Sequence, residues 1–209
     1  MNNLTRSEAK DILNEAYKLN DGPWYAHSIN VAKACSTLAE NLNLDPDKAY
    51  VYGLLHDIGR RNKDSKVRHI LEGYNYMKNL GYEDVARYCL THSFMVKDIR
   101  SILGTWDTTD DEKRFVRDYL NTTEYTLYDK IVQLSDYLAL SDGLTLIDRR
   151  ILDVYLRYEF SSEVAIKNWK AVFKLQEEIE QQLGHSIYKL FPEVKDEISN
   201  SLIKDVLDF

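Results

Sequence analysis

The chain has 209 residues, of which 44% are hydrophobic, enough for one large domain or one domain with an appendage. Its net charge of -7 argues against a general nucleic-acid binder, which would carry a basic footprint. Two cysteines, Cys35 and Cys89, give no disulfide framework and point to a reducing compartment. The first ten residues are polar, and no apolar run approaches a membrane span, so a cytoplasmic protein without membrane contact is expected. With three prolines, eight glycines and few runs that alternate apolar with polar, the chain reads as all-α.

Thr5 and Glu8 form a capping-box pattern that opens a helix to Leu19, with Ile12, Leu13, Ala16 and Leu19 as its apolar stripe. After the break at 20–23, a second helix runs from about Pro23 to Asn41. His27 lies on its core-facing stripe with Val31, Ala34, Cys35 and Leu38. Asp45-Pro46 caps a third helix that ends at His56-Asp57; Gly53 allows a close neighbour, and Gly59 suits a left-handed stop. Residues 60–68 hold five basic side chains, a local positive field in an acidic protein. Ser65 is a candidate cap for a fourth helix carrying His69, which Gly81 stops. A fifth, from Tyr82 to about Ser93, places Val85, Cys89 and His92 on one face. Residues 97–118 show no clear period, and 104–111 read as a loop. A sixth helix, about Glu124 to Leu140, puts Asp136 on an apolar stripe, a costly place for an unpartnered acid. A segment from Asp148 to about Phe160 follows, then a long helix capped by Ser161 or Ser162 and ended by Gly184, and a last helix with Ile198, Leu202, Ile203, Val206 and Leu207.

Taken singly, each histidine reads as well as a core side chain. Together, His27, His56-Asp57, His69, His92 and Asp136 spread over five helices, and converging imidazoles and carboxylates make a metal site in a bundle core. This pattern resembles the HD-domain superfamily of metal-dependent phosphohydrolases: a histidine (His27), a His-Asp pair (His56-Asp57) and a distant aspartate (Asp136) on an all-helical bundle. The flanks 27–32, 53–59 and 134–138 look like the family's signature helices, and the resemblance spans roughly Pro23 to Leu140.

The expected organisation is a bundle over 1–160 with C-terminal helices, 161–209, packed on the same domain; their pattern reads as packing, suited to cover a pocket or support a homodimer. The resemblance implies His27, His56, Asp57 and Asp136 as ligands of one ion, Asp57 as bridge, and His69 and His92 as ligands of a second. Two intervening histidines also occur in the bis-nucleoside tetraphosphate hydrolase branch. Two features depart from family patterns: Arg60 stands where many dinuclear members have lysine, and Thr91-His92-Ser93 lacks the adjacent histidine pair of cyclic-dinucleotide phosphodiesterases. Mixed imidazole and carboxylate ligands suit one or two ions of iron, manganese, zinc, cobalt or nickel better than magnesium or calcium. Asp57, Arg60 and Arg61 are the expected catalytic residues, the arginines acting on phosphate oxygens. The substrate expected is a small phosphorylated molecule of nucleotide type. No P-loop, dinucleotide-binding or metalloprotease motif competes. The remaining alternatives are a non-catalytic, metal-stabilised nucleotide-sensing module and a plain helical scaffold.

Overall fold

The computed structural model describes residues 4–157 and 162–194. These fold into nine α-helices: α1 (Arg6–Leu19), α2 (Trp24–Asn41), α3 (Pro46–Leu55), α4 (His69–Asn79), α5 (Glu83–Thr91), α6 (Asp110–Thr122), α7 (Leu127–Asp136), α8 (Ile147–Arg157) and α9 (Ser162–Leu183). Short 3-10 turns cover Ile58–Arg61, Ile99–Ser101 and Ile187–Leu190. Among the described residues no strand forms, and a single isolated bridge joins Ala139 to Leu144. The all-α expectation holds. The expected last helix, and the ends marked by Phe160 and Ser161, lie outside the described residues.

Local chemistry sets most boundaries. Thr5 and Glu8 cap α1 reciprocally, and the Asp45 side chain accepts from Asp47 and Lys48 ahead of Pro46 at the first turn of α3. Gly81 and Gly184 end α4 and α9 at φ of 85° and 74°, the left-handed region that glycine enters without a Cβ penalty.

Two expectations fail at these joints. Ser65 does not cap α4, which starts at His69 with no side-chain cap. The Asp107 carboxylate instead accepts the backbone N–H groups of Lys66 (2.8 Å) and Arg68 (2.7 Å), and Arg68 pairs with Glu112 at 2.6 Å. Nor is Gly59 a left-handed stop. It lies within the 3-10 turn and is buried, because a bulkier residue would strike the start of α4.

The main core is the buried face of α1, α2, α3, α5 and α7, including Leu13, Val31, Leu38, Leu54, Leu55, Ile131 and Leu134, all inaccessible to solvent. Gly53 brings α3 onto α2, since a Cβ there would lie 2.7 Å from the Cys35 sulfur. Val172 and Ile179 of α9 also reach this core. A smaller core holds Val67, Ile70, Leu90, Phe94, Ile102, Val116 and Leu120. It ties down the segment that lacked a legible period, where α6 forms. The sixth helix of the sequence reading is accordingly shorter than expected, α7 ending at Asp136.

Candidate metal centre

Each of the candidate ligands sits at a helix end or beside one. His27 lies in the first turn of α2, and Asp136 is the last residue of α7. His56 and Asp57 follow α3 directly, His92 follows α5, and His69 opens α4. Helix ends are where the chain turns, so side chains from several elements can meet at one point.

They do meet. The ligand atoms of His27, His56 and Asp57 lie within 4.8 Å of one another, as do those of Asp57, His69 and His92, and those of His56, His92 and Asp136. His27 Nε2 is 2.9 Å from Asp136 Oδ1. Asp57 Oδ1 is 3.1 Å from His69 Nε2 and 3.5 Å from His92 Nε2. Asp57 thus stands between two groups of ligands, where a bridging carboxylate would stand. The four histidines and Asp57 are buried; Asp136 is partly so.

Hydrogen bonds fix the orientation of three rings. His56 Nδ1 faces the Gly53 carbonyl at 2.7 Å, His92 Nδ1 faces the Tyr88 carbonyl at 3.1 Å, and His69 Nδ1 faces the Lys66 carbonyl. A carbonyl only accepts, so Nδ1 carries the proton and Nε2 presents a lone pair to the cluster. Metal-ligating histidines use this arrangement to fix tautomer and orientation.

The electrostatics agree. Burial pushes His56 down to about 4, so it is neutral near pH 7. Burial likewise lowers His69, with Arg60 adding to the effect. Burial alone would raise Asp57, but the Arg60 guanidinium leads the opposing charges, and the carboxyl is held well below the usual range. Arg60 Nε donates to Asp57 Oδ2 at 2.6 Å. For Asp136 the hydrogen bond from His27 leads the influences that outweigh burial, followed by Arg150, and the carboxyl is again lowered.

Neutral imidazole lone pairs and an ionised carboxylate therefore face each other. His69 Nε2 and His92 Nε2 are 3.4 Å apart, and the buried His56 Nε2 and Asp57 Oδ1 have no hydrogen-bond partner. Acceptors turned on acceptors in a buried site repel one another unless a cation lies between them. The residues fit a metal site.

The cluster opens into a cavity of about 770 Å³. Its walls include Arg60, Lys66, Trp24, Ile102, Leu103 and Tyr137. Segment 102–105, part of the stretch without a clear period, is thus a cavity wall. The two expected catalytic arginines part company. Arg60 lines the cavity, whereas Arg61 is absent from its lining and packs over the Tyr76 ring at 4.0 Å. Arg68 is also turned away, committed to Glu112 and Glu72. Sequence reasoning missed Arg150, which lines the cavity and contacts Asp136. Its signal was present in the basic pair 149–150 at the start of α8, but no period placed it near the site. Cys35 and Cys89 are buried, and burial pushes the Cys35 thiol up to about 12, in keeping with core roles.

The model of the HD domain matches residues 24–141, more than half of the chain. The chain belongs to the HD domain family. Two curated relatives are similar over a short stretch: Ribonuclease Y of Mycoplasma capricolum subsp. capricolum and Ribonuclease Y of Mycoplasma mycoides subsp. mycoides SC. Each is 36% identical over 66 residues, 31% of this chain. The chain spans only 13% of the length of these relatives. Among solved structures, a predicted HD superfamily hydrolase from an uncultured Thermotogales bacterium matches 85% of this chain and 92% of its own, at 20% identity and a TM-score of 0.41. Among the described residues no helix is long and apolar enough to cross a membrane.

Proposed function

We propose that the protein is a metal-dependent phosphohydrolase that attacks a nucleotide or related phosphoester or phosphoanhydride with activated water. The observation that carries this reading is the set of buried, mutually repelling acceptors, His56 Nε2, Asp57 Oδ1, His69 Nε2 and His92 Nε2, of which Asp57, His69 and His92 line an open cavity. A purely structural site would be closed over by side chains; catalysis needs access.

His27, His56, Asp57 and Asp136 would hold one ion, with His69 and His92 completing a second position across Asp57. A bound transition metal supplies Lewis-acid polarisation of a phosphoryl oxygen and activation of water near neutral pH. The chain's own residues do the rest. Burial keeps His56 neutral, with its Nε2 lone pair free to ligate, and Arg60 keeps Asp57 ionised. Arg60 also turns a guanidinium toward the cavity, where it can offset charge that develops on the phosphate oxygens. Trp24, Tyr137 and Leu103 give the cavity apolar surface for a base or another hydrophobic group.

A hydrolysis screen with added Mn²⁺, Fe²⁺, Zn²⁺, Co²⁺ or Ni²⁺ tests this reading. It should include mononucleotides, dinucleoside polyphosphates, general phosphodiesters and a short RNA, the last because of the Ribonuclease Y similarity. Turnover of a phosphorylated compound that requires metal and is lost in His56→Ala supports the proposal. Metal-loaded protein that turns over none of them, yet binds a nucleotide, would favour a sensing module.

A further inference from the structure

We propose that Arg150 of α8 is the second phosphate-binding arginine of the site, lining the same cavity as Arg60. This rests on the phosphohydrolase reading and adds a substrate contact from outside residues 24–141. The first observation is a correspondence between the two carboxylates of the cluster. Asp57 carries Arg60 at 2.6 Å, and Asp136 carries Arg150, with Nη2 3.4 Å from Oδ1. Both arginines line the same cavity.

The second observation is how Arg150 is held. Its Nη1 is anchored by Asp153 at 2.9 Å, one turn along α8, and its Nε reaches the Asp136 backbone carbonyl at 3.3 Å. The guanidinium is therefore oriented before any ligand arrives. Only 13% of its side chain is exposed, so its charge is poorly screened. The hydrogen bond from Nη2 to Asp136, at 3.4 Å, is longer than the usual N–H···O range, about 2.7–3.2 Å. A phosphate oxygen entering beside Asp136 would offer a better acceptor without moving the side chain. Planar guanidinium groups suit such oxygens because they donate from two nitrogens in a fixed fork.

Two arginines from separate elements on one cavity suit a substrate whose phosphate has several free oxygens, a terminal phosphomonoester or a phosphoanhydride end. A linear diester esterified on both sides has fewer oxygens to offer. The structural alternative is that Arg150 merely ties α8 to the end of α7.

The experiment measures binding of inorganic phosphate to Mn²⁺-loaded wild type, Arg150→Lys, Arg150→Ala and Asp153→Asn, with melting curves and kcat and KM for the best substrate. Phosphate binding should weaken roughly 10- to 100-fold in Arg150→Ala, the usual loss for a charge-assisted hydrogen bond. Arg150→Lys should recover part of that loss, and Asp153→Asn should weaken binding less than Arg150→Ala. Unchanged phosphate affinity in folded Arg150→Ala and Arg150→Lys, whatever their melting points, overturns the inference. If the Ala variant does not fold, Arg150→Lys and Asp153→Asn decide by the same measure. Wild type that takes up Mn²⁺ and hydrolyses substrate while the Arg150 variants bind phosphate equally well refutes Arg150 alone. Wild type that takes up none of Mn²⁺, Fe²⁺, Zn²⁺, Co²⁺ and Ni²⁺ refutes the phosphohydrolase reading, and this inference with it.

Discussion

Gly59 lies directly against the backbone of His69: a Cβ at Gly59 would sit 1.9 Å from the His69 carbonyl oxygen. The same position also faces Gly73, whose backbone nitrogen would be 2.6 Å from that carbon. This close packing brings the 3-10 turn after Asp57 onto the start of α4, and so brings Asp57 to His69. Gly59 is buried there for space, since its φ lies outside the left-handed region.

Gly59→Ala should therefore separate the turn from α4. Overpacking of this kind costs roughly 1–3 kcal/mol or more, because backbone rather than a flexible side chain must yield. Thermal melting should show the loss of stability, and metal titration should show weakened binding at the position served by His69 and His92. An Ala variant with wild-type melting and metal uptake would mean that the turn can shift without cost.

The two arginines of the 60–61 pair should behave differently. Arg60→Ala removes a charge-assisted contact at the cavity and should lower kcat/KM about 10- to 150-fold, from a loss of roughly 1.5–3 kcal/mol. Arg61→Ala removes a cation–π contact with Tyr76 and should leave kcat/KM near wild type while costing about 0.5–1 kcal/mol of stability. Steady-state kinetics with urea melts on both variants separates the roles. Equal losses of activity would contradict the geometry.

Much of this site was legible because its signals are local. The His56-Asp57 pair ends a run of apolar residues, and His27 and Asp136 sit on apolar stripes, so periodicity alone placed them inward. What periodicity could not show was which of several neighbouring basic residues faces the cavity. Arg60, Arg61 and Arg68 lie in one short, irregular stretch, and their directions depend on Asp57, Tyr76 and Glu112, residues near and far in sequence. Helix α6 escaped notice for a related reason. Only Val116 and Leu120 of that helix are buried, so its stripe is two residues wide in a strongly charged sequence. The Thr109-Glu112 capping box was its one clear mark. The basic pair 149–150 was legible, but its place at the site was not, because the partner of Arg150, Asp136, belongs to a different helix.

The metal-free protein should lose stability on mild acidification. His56 has an ordinary value of 6.5 and is pushed by burial down to about 4 in the folded chain, and His69 is lowered by the same cause. Between these values the unfolded chain binds protons that the folded chain refuses, so stability falls as pH drops from about 6.5 to 4. His56 alone contributes a loss of roughly 3 kcal/mol over that window. Asp57 and Asp136, whose values are lowered, contribute at lower pH, as it falls through their folded values. Urea melts of chelator-treated protein across this range check the slope, and His56→Gln should flatten it. A slope unchanged by His56→Gln would show that His56 is not held neutral.

Metal content tests whether the clustered acceptors hold cations. Protein purified without chelator, or stripped and dialysed against Mn²⁺, should carry one to two transition-metal ions per chain. His56→Ala should lose most of that metal, while His92→Ala should retain one ion and lose the second, with helicity unchanged by circular dichroism. Wild-type protein that stays metal-free under these conditions, or that binds the same amount as His56→Ala, would mean that the cluster is not a metal site.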